Sequence, residues 1–270
     1  MTVLEDATLP TAVGVVEIRR GGTGGPVPVV YLHSAQGEGA AMAFLEGLAD
    51  TCRVVAPVFP GFGASEGLEA IDDIEDASFH VLDVLDRLDI ARVDLVGLSL
   101  GGWLAAELAT RWPERVRRVV LVNAVGLYVD GEPIKEIFGR PLDQLAADLY
   151  ADPDHPVAQM MRALALAEGS PEQIPFDLIR PVIQAQAATA KLGWNPYLHN
   201  PKLRGRLGRI SAPSLVVHGR HDGIVPRAHA EAYVAGIPDA RLVDLDGAAH
   251  MATLERPTAV ADLVLSHLRG

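Results

Sequence analysis

The sequence is poor in cysteine and has no hydrophobic run long enough to cross a membrane. Cys52 is the one cysteine among 270 residues. Because no disulfide can form within the chain, we predict a cytoplasmic protein in which Cys52 is a small structural residue. The longest apolar stretches, such as residues 116–122, fall far short of the roughly 20 residues that a spanning helix needs. Glu5 and Asp6 stand where a secretory signal carries basic residues. We therefore expect neither export nor membrane association.

Basic residues are also scarce relative to acidic ones. The chain has 23 Lys and Arg against 35 Asp and Glu, which gives a formal net charge of −12. Long-range repulsion at this charge opposes binding to nucleic acid and to anionic membranes, but it says little about a small neutral substrate. His218 and His221 lie three apart beside Asp222, yet we expect no metal ion there and no cofactor. The oligomeric state stays open.

Strand patterns and helix patterns alternate in the first and last parts of the chain. Apolar runs predict strands over residues 27–32, 53–58, 93–96, 116–122, 214–218 and 241–245. Helical patterns lie between them, which is typical of an α/β fold with a mostly parallel central sheet flanked by helices. Before these elements we predict a half-exposed strand over 13–19 and a hairpin turn at the glycine-rich residues 21–25.

The middle of the chain has a different pattern. Between about residues 126 and 207 we find helical stretches but no strand, and nine prolines divide the segment into short pieces. We therefore predict an inserted α-helical cap over 126–207, and an α/β core formed by 1–125 and 208–270.

A candidate nucleophile lies between the strand 93–96 and the following helix. Residues 97–101 read Gly-Leu-Ser-Leu-Gly and match the pattern G-x-S-x-G. A serine on such a strand-to-helix turn needs small neighbours, projects its hydroxyl clear of the sheet, and lies at a helix N-terminus that favours developing negative charge. We predict that Ser99 is the nucleophile. The alternative is a glycine-rich turn with an incidental serine.

A serine hydroxyl is a weak nucleophile unless a base removes its proton. His250 follows the predicted strand 241–245 and precedes a helix, where active sites of open α/β sheets form. Asp222 follows the strand 214–218, and the next residue is a glycine that permits a tight turn. We predict that His250 is the general base and that Asp222 orients it. The alternatives are that Asp222 only caps its turn, or that Asp244 or Asp246 is the acid.

The order of these three residues along the chain is that of the α/β-hydrolase family, which the sequence resembles over nearly its whole length. Four segments carry the resemblance. Residues 60–65 resemble the P-G-x-G-x-S loop of the family, 97–102 its nucleophile elbow, 219–226 its acid loop and 247–250 its G-x-x-H histidine loop.

The resemblance also implies an oxyanion hole, formed by the backbone N–H groups of Ala35 and Leu100. The family usually has H-G-x after the first parallel strand, whereas here Ser34 follows His33. We therefore expect the Ser34 side chain to intrude where the family has close backbone approach, and His33 to buttress the loop.

Three functions are compatible with these residues. The first is hydrolysis of a small carboxylic ester, lactone or thioester through an acyl-enzyme. The second is carbon–carbon bond hydrolysis of ring-cleavage products. The branch of the family with that activity typically has H-G-x-G-P-G and a Trp after the histidine, where this chain has His-Ser-Ala-Gln-Gly at 33–37 and Met251. The third is ligand binding without turnover. Ser99 argues against the branches of the family that attack with Asp.

We expect a mostly apolar pocket for a small neutral or apolar substrate between core and cap. The candidate lining residues are His33, Ser34, Phe138, Leu142, Trp194 and Met251. Further cap residues that either line the pocket or pack within the cap are Leu145, Leu149, Met160, Met161 and Leu164. For Arg140, Arg162 and Arg180, a solvated surface position is favoured over pairing with a substrate carboxylate.

Overall fold

Eight strands form a single sheet in the computed structural model, which describes residues 2–37, 42–167 and 176–270. In chain order the strands are β1 (Glu5–Pro10), β2 (Val15–Gly21), β3 (Val29–Leu32), β4 (Val54–Pro57), β5 (Val93–Leu98), β6 (Val116–Val122), β7 (Ser214–Gly219) and β8 (Ala240–Leu245). Their order in the sheet is β1-β2-β4-β3-β5-β6-β7-β8.

The sheet is mostly parallel, as predicted. From β4 to β8 every neighbouring pair is parallel, whereas β1 pairs antiparallel with β2 and β2 antiparallel with β4. All residues of β3, β4, β5 and β7 are buried, which explains their continuous apolar runs, because a strand covered on both faces has no solvent side. The predicted α/β fold with flanking helices is confirmed.

The amino-terminal hairpin differs from the prediction. β1 was not predicted, and the turn of its hairpin is at residues 11–14, where the Thr11 N–H donates to the Gly14 carbonyl. The glycine-rich residues 21–25 do not close a hairpin. Instead β2 continues through Gly21, which pairs with Val54 of β4.

Nine α-helices lie in the described part of the chain. They are α1 (Met42–Ala49), α2 (Ile74–Arg87), α3 (Leu100–Arg111), α4 (Leu142–Leu149), α5 (Pro156–Ala167), α6 (Phe176–Gly193), α7 (Arg227–Gly236), α8 (Ala252–Glu255) and α9 (Pro257–Arg269). α1 packs against α9, while α3 packs against α2 and against the short 3₁₀ helix Arg204–Arg209. In this part of the chain no helix is both long enough and apolar enough to cross a bilayer.

The segment between β6 and β7 contributes no strand among its described residues, apart from an isolated bridge between Gly126 and His199. Its helices α4, α5 and α6 replace the strand–helix alternation of the core. Backbone hydrogen bonds join the segment to the loops after β7 and β8: the Gly223 N–H donates to the Asp148 carbonyl, and the Met251 N–H donates to the Leu149 carbonyl. The segment therefore lies against the carboxyl ends of these strands.

Candidate active site

Ser99 lies at the sharp turn from β5 into α3, in a backbone conformation that residues other than glycine rarely adopt. Its φ is 54° and its ψ is −112°, and its N–H donates to the Val122 carbonyl at 2.9 Å. The residues two positions before and two positions after Ser99 must be glycine, because neither position has room for a Cβ. A Cβ on Gly97 would lie 2.2 Å from the Gly101 carbonyl oxygen, and one on Gly101 would lie 2.0 Å from the Leu32 carbonyl oxygen.

The three residues singled out by the sequence meet in a continuous row of hydrogen bonds. His250 Nε2 lies 2.8 Å from Ser99 Oγ, and His250 Nδ1 lies 2.9 Å from Asp222 Oδ2. Ser99 is 4% exposed and His250 is 3% exposed. The Asp222 carboxylate is fully buried, and its Oδ1 accepts hydrogen bonds from the backbone N–H groups of Ile224 and Val225. These donors stabilise the charged carboxylate away from water.

The two alternative carboxylates have other partners. Asp244 accepts two hydrogen bonds from the Arg227 guanidinium, which lowers the pKa of Asp244. Asp246 forms an ion pair with Arg220. Since His250 hydrogen-bonds to Asp222, the geometry favours Asp222 over both.

A narrow apolar space lies directly beside the Ser99 hydroxyl. Ala35 and Leu100 line it together with Ser34, Ser99 and His250. Leu100 is the first residue of α3, so its N–H has no acceptor within its own helix. Ser34 lines the same space, but its hydroxyl accepts a hydrogen bond from the Gln36 N–H at 3.0 Å and lies 4.0 Å from Met251 Sδ.

His33 holds the loop beneath this space and does not line it. Its Nε2 accepts a hydrogen bond from the Phe59 N–H at 2.9 Å, and its Nδ1 donates to its neighbour's carbonyl, that of Ser34, at 2.7 Å. Burial lowers the pKa of His33 to about 4, so the ring is neutral at pH 7. The neutral ring fixes the position of residues 33–35.

A second, larger cavity of about 180 Å³ adjoins the space at Ser99. Leu142 and Met251, two of the candidate pocket residues, line it, and Gln36 lines both spaces. Its other walls are mostly apolar side chains of α4, α5 and α6, together with Leu254 and the polar Gln186. The cap residues Leu145, Met160, Met161 and Leu164, which were also candidates, line this cavity. The lining residues that were not predicted include Tyr150, Val157, Val182 and Gln186.

Phe138 and Trp194 were expected in the pocket, but the structure places them outside it. Their rings contact each other at a centroid distance of 5.3 Å, and Trp194 is 63% exposed. The neighbouring Ile137 lines the space at Ser99 instead. Residues 127–141 include no helix or strand, so no periodicity indicated which side chain faces inward.

The basic residues considered for a substrate carboxylate do not line either space. Arg140 forms an ion pair with Asp148, Arg162 donates to the Pro153 carbonyl, and Arg180 is exposed. Over residues 2–37, 42–167 and 176–270, no Lys or Arg lines the space at Ser99 or the larger cavity. The same residues contain no cluster of His, Cys, Asp or Glu suited to a metal ion.

Glu255 joins the histidine loop to the inserted segment, which the sequence did not predict. One carboxylate oxygen accepts from the Ala249 N–H at 2.7 Å, and the other from the Ala151 N–H at 2.6 Å. The helix predicted after the histidine was the only available signal, and it does not specify a partner.

A strand-to-helix serine, a histidine and a carboxylate at the carboxyl edge of this sheet define a hydrolase of the α/β class. A sequence profile described as alpha/beta hydrolase fold matches residues 27–257. The chain therefore belongs to the α/β-hydrolase fold family.

Curated relatives include a hydrolase and an acetyltransferase component. The chain is 38% identical over 228 residues to a 2-hydroxy-6-oxo-2,4-heptadienoate hydrolase of Pseudomonas putida strain F1, covering 79% of this chain and 78% of the relative. It is 31% identical over 258 residues to the dihydrolipoyllysine-residue acetyltransferase component of an acetoin cleaving system of Pseudomonas putida, covering 92% of this chain. The chain spans 65% of that relative's length.

A solved structure with the same fold is 2-hydroxy-6-oxo-6-phenylhexa-2,4-dienoate hydrolase from Rhodococcus strain RHA1. It superimposes with a TM-score of 0.78 at 26% identity and covers 100% of both chains.

Proposed function

We propose that this α/β hydrolase cleaves a small, uncharged carboxylic ester, lactone or thioester through an acyl-enzyme on Ser99. The observation that carries the proposal is the row of hydrogen bonds from Ser99 Oγ through the His250 ring to the Asp222 carboxylate, at 2.8 and 2.9 Å. This row provides a nucleophile, a base in contact with it and a group that fixes the base.

In the proposed reaction, His250 Nε2 accepts the proton as Ser99 Oγ attacks the carbonyl carbon. Asp222 holds the proton on Nδ1, so that Nε2 is the free acceptor, and stabilises the imidazolium. The N–H groups of Ala35 and Leu100 donate to the oxyanion. His250 then protonates the leaving group and activates the water that releases the acid.

The lining of the two spaces favours a neutral substrate. Because no Lys or Arg lines either space in the described parts of the chain, a buried substrate carboxylate would lose its hydration without gaining a cationic partner, which costs several kcal/mol. The apolar cavity of about 180 Å³ has room for about six groups the size of a water molecule. We propose that this cavity binds an apolar acyl chain or alcohol. We also propose that residues 126–207 form a cap that covers it, and that the protein is cytoplasmic.

Carbon–carbon hydrolysis of a ring-fission product is the second candidate, because the relative with 38% identity is named for that activity. A dienoate of this kind carries a carboxylate, for which the described lining offers no cation. Ester hydrolysis therefore ranks first.

A comparison of reaction rates between substrates tests the two proposals. Rates would be measured with p-nitrophenyl esters from acetate to octanoate, a lactone, an acyl thioester and a ring-fission dienoate. We expect kcat/KM to be highest for an uncharged acyl substrate, and Ser99→Ala to lower it by several orders of magnitude. A dienoate consumed faster than every ester would favour the second candidate. Binding without turnover of any substrate would favour a ligand-binding protein.

A further inference from the structure

Asn123 is a buried polar residue that the proposed reaction does not use. It follows β6 directly, adopts the left-handed region with φ of 45°, and is 1% exposed. Its backbone N–H donates to the Val217 carbonyl of β7 at 2.9 Å. The residue before it, Val122, accepts the hydrogen bond from the Ser99 N–H. Asn123 therefore lies between the turn that carries the nucleophile and the loop that carries the acid.

The side chain of Asn123 joins two of the three loops of the site. Its Nδ2 donates to the carbonyls of Ala249 and His250 at 2.9 and 2.8 Å, and its Oδ1 accepts from the Gly219 N–H at 2.8 Å. These partners fix the orientation of the amide, because two carbonyls need donors and one N–H needs an acceptor.

Few side chains fit this position. An Asp accepts but does not donate, and a Ser has a single donor, so neither can serve both carbonyls and the N–H. The two loops also approach each other closely at this point, since a Cβ on Gly219 would lie 2.3 Å from the Ala249 carbonyl oxygen. The amide lies at a junction where the acid loop and the histidine loop meet the end of β6.

We propose that Asn123 is a positioning residue that holds the His250 main chain at the distance the nucleophile requires, an inference that rests on the proposed function. Asn123 does not line the space at Ser99 or the larger cavity, so it touches no substrate. A shift of about 1 Å in a reacting group costs roughly 100-fold in rate. Loss of the amide therefore lowers kcat by roughly 10- to 100-fold and leaves KM within about twofold.

Two substitutions test this role. Asn123→Gly removes the side chain and tolerates the positive φ. Asn123→Asp keeps the shape and the bond from Gly219 but loses both donors. The matched control is Asn200→Gly, because the half-buried Asn200 side chain donates to Glu107 and accepts from the Lys202 N–H. For each variant, kcat and KM for an ester, the rate of fluorophosphonate labelling and the melting temperature would be measured.

We expect both Asn123 variants to lose kcat and labelling rate with little change in KM, whereas Asn200→Gly loses only stability. Proton NMR adds a readout that needs no turnover: the His250 Nδ1 proton shared with Asp222 should give a sharp downfield signal in the wild type and a broadened one in the variants. Wild-type kcat in Asn123→Gly, or equal losses of kcat in Asn123→Gly and Asn200→Gly, would overturn the proposal.

If neither Asn123 variant folds, hydrogen exchange in the wild type decides. Slow exchange of the Gly219 N–H and of both Asn123 side-chain protons supports the positioning role of Asn123, and fast exchange overturns it. A wild type that neither turns over esters nor reacts with fluorophosphonate would reject the proposed function but not the positioning role of Asn123, because the NMR and exchange measurements test that role independently.

Discussion

Two buried histidines, His33 and His80, differ in what surrounds their rings. His33 has a hydrogen-bond partner at each ring nitrogen, whereas neither nitrogen of His80 has one among the described residues. Burial lowers the pKa of both to about 4. Each ring is therefore neutral in the folded protein over a pH range in which the unfolded chain binds a proton.

The protein should lose stability as the pH falls from about 7 to about 4. Below its ordinary pKa of 6.5 each of these histidines takes up a proton only when the chain unfolds, so unfolding becomes more favourable. At pH 5 the effect is roughly 2 kcal/mol for each residue. Replacing His80 with Leu should remove the contribution of His80 to this loss of stability. The urea midpoint of the variant should therefore fall less between pH 7 and pH 5 than that of the wild type.

The control for this prediction is His221→Leu, because the side chain of His221 is exposed. We expect that variant to keep the wild-type dependence on pH. A His80→Leu variant whose urea midpoint falls between pH 7 and pH 5 as much as that of the wild type would show that His80 does not contribute.

At the residue scale, motifs and their context were enough to select Ser99, Asp222 and His250, which the structure brings together. Three kinds of residue were beyond such reasoning. Ile137 lies in a segment without periodicity, Glu255 acts through partners 104 and 6 residues away in the chain, and Asn123 looks like an ordinary polar residue at the end of a strand. Their importance comes from contacts between distant segments, which a single sequence does not reveal.

At the scale of elements, the turn from β5 to α3 depends on close backbone approach. Gly101→Ala should destabilise the protein by roughly 3 kcal/mol, because the new methyl group would lie 2.0 Å from the Leu32 carbonyl oxygen. Gly205→Ala is the control, since a Cβ there has no heavy atom within 4 Å. Denaturant unfolding of the two variants tests the difference. Equal stabilities would mean that the turn has more room than the structure indicates.

Most strands of the parallel part of the sheet were predictable because burial leaves a nearly continuous apolar run. β6 was predicted with its observed bounds, 116–122. β1 was not predicted, because it lies at the sheet edge and none of its six residues is fully buried. A strand with little burial has no hydrophobic pattern to detect.

At the scale of the whole molecule, the inserted segment and the core together enclose the larger cavity. Filling it should shorten the acyl chain that the protein accepts. Val157→Phe projects a ring from α5 into the lining, so we expect kcat/KM for an octanoyl ester to fall at least about 10-fold relative to acetate. The control is Ala163→Phe on the exposed side of the same helix. If both variants keep the wild-type chain-length profile, the cavity does not bind the acyl chain.

Activation of Ser99 by His250 can be measured by mass spectrometry after incubation with a fluorophosphonate. We expect one adduct, located on the peptide that contains Ser99, formed rapidly by the wild type and far more slowly by His250→Ala. An adduct on another residue, or a folded wild type that stays unlabelled, would show that Ser99 is not the activated nucleophile.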